Sequence, residues 1–161
     1  MTDVAKKNWV GSVLATAATA ISGSIATDPD SAWYVSLDKP KWQPPQVVFP
    51  IVWTALYAGI AATSARALIE LDEAGQEEEA AKYRAALGVN LLLNQGWSWT
   101  YFRAHRLGAA TAVAGLLAAS SIDLARRAKR AGKGAELVPY AAWCSFATLL
   151  TAETWRRNKS R

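Results

Sequence analysis

The chain has 161 residues, with one cysteine, one histidine and a formal net charge of +5. That length suits one domain, and a lone Cys144 excludes an intrachain disulfide and a thiolate metal cluster. The positive balance does not point to nucleic acid, because no basic stripe is interleaved with aromatic residues. Most of the excess lies in Arg126-Arg127-Ala128-Lys129-Arg130 and in Arg156-Arg157-Asn158-Lys159-Ser160-Arg161, which read as juxtamembrane anchors to anionic lipid.

Mean hydropathy is only +0.03, which looks too polar for a membrane protein. The average hides a clumped pattern. Uncharged runs occupy 8–27, 42–65, 85–102, 107–122 and 137–152, with lengths of 20, 24, 18, 16 and 16. A soluble bundle would instead spread Lys and Glu along the outer face of each helix. The runs are rich in Ala, Gly, Ser and Thr, which permit close helix packing in a bilayer. The expectation is an all-α integral membrane protein. Its single domain, 1–161, would bundle five transmembrane helices at about 8–27, 44–70, 80–102, 105–129 and 136–156, with loop 28–43 as a pocket lid. The two shortest runs span only if Arg106, Asp123, Glu136 or Glu153 sit near the headgroups.

Lys6 and Lys7 precede the first run. A signal peptide cleaved near Ala15-Thr16-Ala17 or Ala18-Thr19-Ala20 is one reading. Trp9 at the entrance and the full span length favour a retained helix, with Ala15, Thr19 and Ser22 as its small-residue packing face. Asp28-Pro29 then reads as an N-cap and first-turn proline opening a short helix to about Leu37. That segment brings Trp33, Tyr34 and Leu37 together, more than a passive linker needs.

Trp33 to Tyr57 is the densest stretch, with three tryptophans, two tyrosines and four prolines in 25 residues. Beyond Lys41, a helix of about 22 residues from Pro44 would be roughly 33 Å long, against a hydrocarbon core of about 30 Å. Phe49, Trp53, Tyr57 and Ile60 recur at helical spacing and make one aromatic face. Interfacial anchoring and core packing account for isolated tryptophans; this density favours a ligand-facing wall.

Between the second and third helices, Glu70, Asp72, Glu73, Glu77, Glu78 and Glu79 alternate with Arg66, Lys82 and Arg84. Solvated helix extensions and a turn near Gly75 are expected, with Glu78 and Lys82 paired at i,i+4. The third helix puts Asn90, Asn94, Trp97 and Tyr101 on one face. Amides are costly in hydrocarbon, so they face a neighbouring helix or a bound ligand. His105 between Arg103 and Arg106 reads as a boundary residue. Gly108, Ala112, Gly115 and Ala119 form a packing face on the fourth helix. On the fifth, Tyr140, Trp143, Ala147 and Thr151 share a side, and Trp155-Arg156-Arg157 closes it as an aromatic-then-basic boundary.

Trp33-Tyr34, Lys39-Pro40, Trp42 with Pro44-Pro45, Trp53 before Leu56-Tyr57, Asn94 with Trp97, and Pro139-Tyr140 followed by Trp143 resemble the tryptophan-rich sensory protein family, bacterial relatives of the mitochondrial translocator protein. The similarity runs from the first helix to Asn158. It implies five transmembrane helices, a homodimer, and a pocket below the first loop. It also implies binding of porphyrins or other haem-like tetrapyrroles and of isoquinoline-carboxamide or benzodiazepine ligands. No cofactor or metal is required. Carried over by position, the ligand-binding residues would be Tyr34, Trp53, Asn94, Trp97, Trp143 and Ala147. Tyr57 joins them from the aromatic face of its helix. Animal members carry Leu-Asn-Tyr in a proposed cholesterol motif where this chain has Leu150-Thr151-Ala152, which lowers the expectation of sterol binding.

Three functions compete at this point. One is a receptor or carrier for tetrapyrroles, with Trp53, Trp97 and Trp143 as walls and Lys39 and Lys41 answering the propionates. Another is an enzyme that degrades porphyrin in light, with Trp53 and Trp143 as catalytic redox partners facing each other across the pocket. A third is a stress-linked interaction protein that uses its basic C-terminus. No hydrolytic triad, phosphate loop or metal cluster suggests another enzyme class. Lys and Arg number 10 on the N-terminal side and 8 on the other, too even to orient the chain.

Overall fold

The computed structural model describes residues 1–160, which include six α-helices. Five are long: α1 (Asp3–Ala26), α3 (Val48–Glu73), α4 (Glu77–Ser98), α5 (Leu107–Arg130) and α6 (Val138–Asn158). The sixth, α2 (Ala32–Ser36), is a short helix within the connection from α1 to α3. Helices α1, α3 and α5 are each long and apolar enough to cross a membrane. In α4 and α6 the apolar stretch is diluted by the acidic first turn of α4 and by inward polar residues such as Asn90, Asn94 and Thr151.

Helix α1 packs along α3 and α4, α4 along α5, and α5 along α6; the backbones of α3 and α6 stay apart and meet through aromatic side chains. The larger core lies in the half of the bundle away from α2, around Ile60, Leu68, Tyr83, Leu117, Leu124 and Tyr140. A smaller one gathers Tyr34, Tyr101, Leu107 and Ala110 under α2.

The buried stripe of α1 is Asn8, Ser12, Thr16, Thr19, Gly23 and Ala26, spaced by four and three. Of the expected face only Thr19 belongs to it; Ala15 is exposed and Ser22 half-buried. The polar groups turn inward and leave Val13, Leu14 and Ile21 outside, the arrangement a lipid surround favours. On α5, Gly108 lies against the Trp155 ring, where an added Cβ would stand 3.1 Å from the nearest ring carbon, and Gly115 approaches Thr148. Ala112 and Ala119 of the same expected face are exposed.

Ser31, not Asp28, caps α2: its hydroxyl accepts from the Tyr34 N–H and donates to the Asp28 carbonyl. Asp28 to Ser31 is a turn, so the proline serves the turn and the helix starts later. Helix α3 begins at Val48 rather than Pro44, after a turn in which the Val48 N–H reaches the Pro45 carbonyl at 2.9 Å. Consecutive prolines push the residues before them out of helical geometry, whereas Pro50, inside the first turn, costs nothing there.

The end opposite α2 is held by charge and turn chemistry. Gly75 at φ 68° lets the chain reverse after α3. Asp72 accepts from Asn8 at 2.8 Å and pairs with Arg84. Glu136 takes both Thr63 and Arg66, and Lys82 pairs with Glu78 at 2.7 Å.

Candidate ligand pocket

A cavity of about 330 Å³ opens beneath α2, between α1, α3, α4 and α6. Tyr34, Trp53, Tyr57, Asn94, Trp97, Trp143 and Ala147 all line it. Helical spacing does this: Phe49, Trp53 and Tyr57 step down α3, Asn94 and Trp97 sit on adjoining turns of α4, and Trp143 and Ala147 are one turn apart on α6. The lining contains no Asp, Glu, Lys or Arg.

The aromatic wall is a connected set of ring contacts. Trp53 stacks on Tyr57 at 5.6 Å and lies 6.0 Å from Trp97 and 6.4 Å from Trp143 between ring centres. Trp53 and Trp143 meet at an interplanar angle of 86°. They therefore do not face each other across open space. They touch edge to face on one wall, the geometry that ring quadrupoles prefer. The Trp143 Nε1–H is buried with no acceptor among the described residues.

Below the rings runs a polar floor. The Tyr57 hydroxyl donates to Asn94 Oδ1 at 2.8 Å, and Asn94 Nδ2 donates to the Tyr140 hydroxyl at 3.3 Å. Tyr140 then donates to Asn90 Oδ1 at 2.7 Å, and Asn90 Nδ2 reaches Ser121 at 3.1 Å. Every member is fully or largely buried, so each amide and phenol needs its neighbour. Asn94 thus serves both purposes open to it in the sequence, tying helices and lining the cavity. Higher up, Trp97 Nε1 donates to Thr151 at 3.3 Å.

The roof is the segment around α2. Tyr34 is buried against Phe102, with ring centres 5.5 Å apart, and accepts from Gln43 at 3.3 Å. Burial raises its phenol above the usual tyrosine range, and the Gln43 hydrogen bond offsets part of that. Trp33 stacks on His105 at 4.0 Å, so this boundary residue also clamps the roof. Trp97, Tyr101 and Phe102 approach the roof because α4 ends in a π-helical turn, Trp99–Arg103, closed by the Ala104 N–H to the Trp99 carbonyl. Such a turn inserts an extra residue and re-aims the side chains around it.

The lysines are placed differently from expectation. Lys39 donates to the Tyr34 and Leu37 carbonyls with its ammonium 4.3 Å from the Tyr34 ring centre, and burial lowers its pKa. Lys41 is exposed, and neither lines the cavity. The C-terminal basic cluster is also partly engaged: Arg156 and Arg157 pair with Glu153, and Arg157 lies 3.7 Å from Asp38. Sequence reasoning missed Gln43 and Gln46 from the roof and Gly23 and Thr27 from α1. Two glutamines within an otherwise apolar proline segment were the available signal.

The TspO/MBR family model matches residues 12–156, nearly the whole chain, and takes in every residue that lines the pocket. The chain belongs to the TspO/MBR family. It is 35% identical over 135 residues to the tryptophan-rich sensory protein of Cereibacter sphaeroides, covering 83% of this chain and 80% of that one. It is 32% identical over 133 residues to the translocator protein of Ovis aries, covering 80% and 76%. Protein CrtK of Rhodobacter capsulatus is 32% identical over 137 residues, covering 79% of each. The protein is thus a membrane protein of this family, with apolar helices able to cross the bilayer.

Proposed function

We propose that the protein is a membrane receptor or carrier that binds a flat tetrapyrrole, such as protoporphyrin IX, in the cavity beneath α2. The observation that carries this reading is the uncharged cavity with Trp53, Trp97 and Trp143 in mutual contact on its wall. Its volume falls at the lower end of the range for small-molecule pockets, about 300–1,000 Å³. A porphyrin brings two apolar faces, which indole rings cover well, and a propionate edge, which a neutral lining cannot hold. The disc would therefore enter with its propionates left at the mouth. The free Trp143 N–H offers a donor that no protein group uses. Isoquinoline-carboxamide and benzodiazepine ligands likewise combine flat rings with a carbonyl acceptor.

The same reading takes all five long helices as membrane spans, with α4 and α6 less apolar because they supply the polar floor and Thr151. The homodimer belongs to it as well. Dark titration of the purified protein with protoporphyrin IX, followed by tryptophan quenching, tests it: saturable binding is expected, and non-saturable partition into detergent would reject it.

Light-dependent degradation of the porphyrin is a second reading, supported by the ring contacts from Trp97 through Trp53 to Trp143. An excited porphyrin accepts an electron from indole, and adjoining indoles spread the resulting hole. Replacing Trp53, Trp97 and Trp143 by Phe keeps aromatic walls but removes the oxidisable rings of the lining. Conversion under light should then stop while dark binding persists; equal conversion by parent and variants would reject the enzyme.

A further inference from the structure

A ligand has to reach this cavity, and most of its boundaries are tied. The roof is fixed to α6 by two hydrogen bonds between Asp38 and Asn158, and its two ends are tied together by Gln46 donating to the Pro29 carbonyl. The floor is closed by the phenol and amide ladder, and the far end of the bundle by the Asp72 and Glu136 pairs. Between α1 and α4, Trp99 Nε1 donates to Ser22 and Arg103 to the Ile25 carbonyl. Between α1 and α3 the helices lie in long contact, and between α5 and α6 Gly108 admits Trp155 at close range.

The remaining boundary is different. Helices α3 and α6 are linked beside the 3-10 turn Gly134–Leu137, where Glu136 binds Thr63 and Arg66. Their backbones otherwise stay apart, and among the described residues no hydrogen bond joins 48–73 to 138–158. Aromatic rings fill the gap: Trp143 meets Phe49 at 5.8 Å and Trp53 at 6.4 Å, and Phe146 backs Trp143 at 5.3 Å. Outside them Val47, Ile51 and Leu149 are about two-thirds exposed, a surface suited to lipid.

We infer that the ligand exchanges with the bilayer between α3 and α6, by displacement of the Phe49, Trp143 and Phe146 rings, and not by lifting the roof. The inference rests on the proposed ligand pocket and names the source of the ligand: a flat ring system already dissolved in the lipid. Rings that part at this seam are re-solvated by acyl chains. Parting α1 from α4 would instead leave the Trp99 and Arg103 donors without their acceptors in an apolar surround, and lifting the roof would break both Asp38–Asn158 bonds. A disc can enter edge-on along the seam with its charged edge riding at the headgroup level. Phe146 lies outside the lining, so it governs the rate of exchange and not the affinity.

The test uses the full chain in phosphatidylcholine vesicles, loaded with protoporphyrin IX in the dark and mixed with excess acceptor vesicles. Loss of energy transfer from tryptophan to porphyrin reports release, and the reverse mixing reports uptake. Phe146→Ala and the gentler Phe146→Leu should speed uptake and release together by about five-fold or more, with affinity held within about two-fold. Asn158→Ala, which frees the roof, should leave both rates unchanged. Faster exchange in Asn158→Ala with parental rates in both Phe146 variants would overturn the inference. So would a Phe146 effect confined to release, which marks a ligand contact and not a portal. Absence of saturable uptake by the parent would instead remove the ligand pocket itself, an outcome distinct from normal binding with misplaced exchange.

Discussion

Asp38 and Asn158 hold each other by two hydrogen bonds across 120 residues of sequence: the Asp38 N–H donates to Asn158 Oδ1 at 3.0 Å, and Asn158 Nδ2 donates to the Asp38 carbonyl at 2.9 Å. This reciprocal pair joins the connection after α2 to the last turn of α6, with Arg157 beside Asp38 as a weaker electrostatic neighbour.

Removing that pair should loosen the roof without unfolding the bundle. Asn158→Ala is expected to cost about 1 kcal/mol per lost bond in roof docking, the scale of an exposed amide hydrogen bond. Hydrogen exchange should rise at residues 30–43 and remain parental in α3 and α5. Uniform faster exchange across all helices would show that Asn158 supports the fold at large.

Tyr34 gives the roof a pH limit. Its phenol is raised by burial, so docking favours the neutral form. The stabilisation is fully present below the ordinary tyrosine value of about 10 and is lost as pH rises through the higher docked value. Porphyrin affinity should therefore stay level from neutral pH to about 9 and fall beyond about 10. In Tyr34→Phe the alkaline fall should vanish, although affinity starts lower for want of the Gln43 bond. A titration of both proteins over that range checks it.

The Gly108 site tests packing between α5 and α6. A Cβ there would stand 3.1–3.3 Å from the Trp155 ring, so Ala requires a small shift and Val a large one. Gly108→Val should destabilise by about 1–3 kcal/mol, the usual cost of overpacking, and Gly108→Ala by distinctly less. Thermal unfolding in detergent orders the two.

Much of the pocket is legible in the sequence because helical spacing alone groups its walls. Phe49, Trp53 and Tyr57, then Asn94 and Trp97, then Trp143 and Ala147, share faces wherever the neighbouring helices fall. What spacing does not contain is the relation between helices. It left Trp53 and Trp143 as opposed walls, whereas they touch edge to face. The π turn after Ser98 shifts the phase of α4 where it meets the roof, and no residue type marks such a turn. Lys39 read as a ligand partner by its charge, but the chain uses it to cap the carbonyls of α2. The stripe on α1 was misplaced because Ala and Thr are both small, and only the polarity of Ser12 and Thr16 distinguishes the buried side.

The most direct measurement is a dark titration of the parent, Trp53→Ala and Trp143→Ala with protoporphyrin IX, followed by quenching of the remaining tryptophans. Loss of a buried aromatic contact should weaken binding by about 1–3 kcal/mol, or roughly five-fold to over a hundred-fold. The corresponding Phe variants should stay close to the parent. If both Ala variants bind porphyrin as tightly as the parent does, the ligand is not held by this wall, and the cavity beneath α2 is not its site.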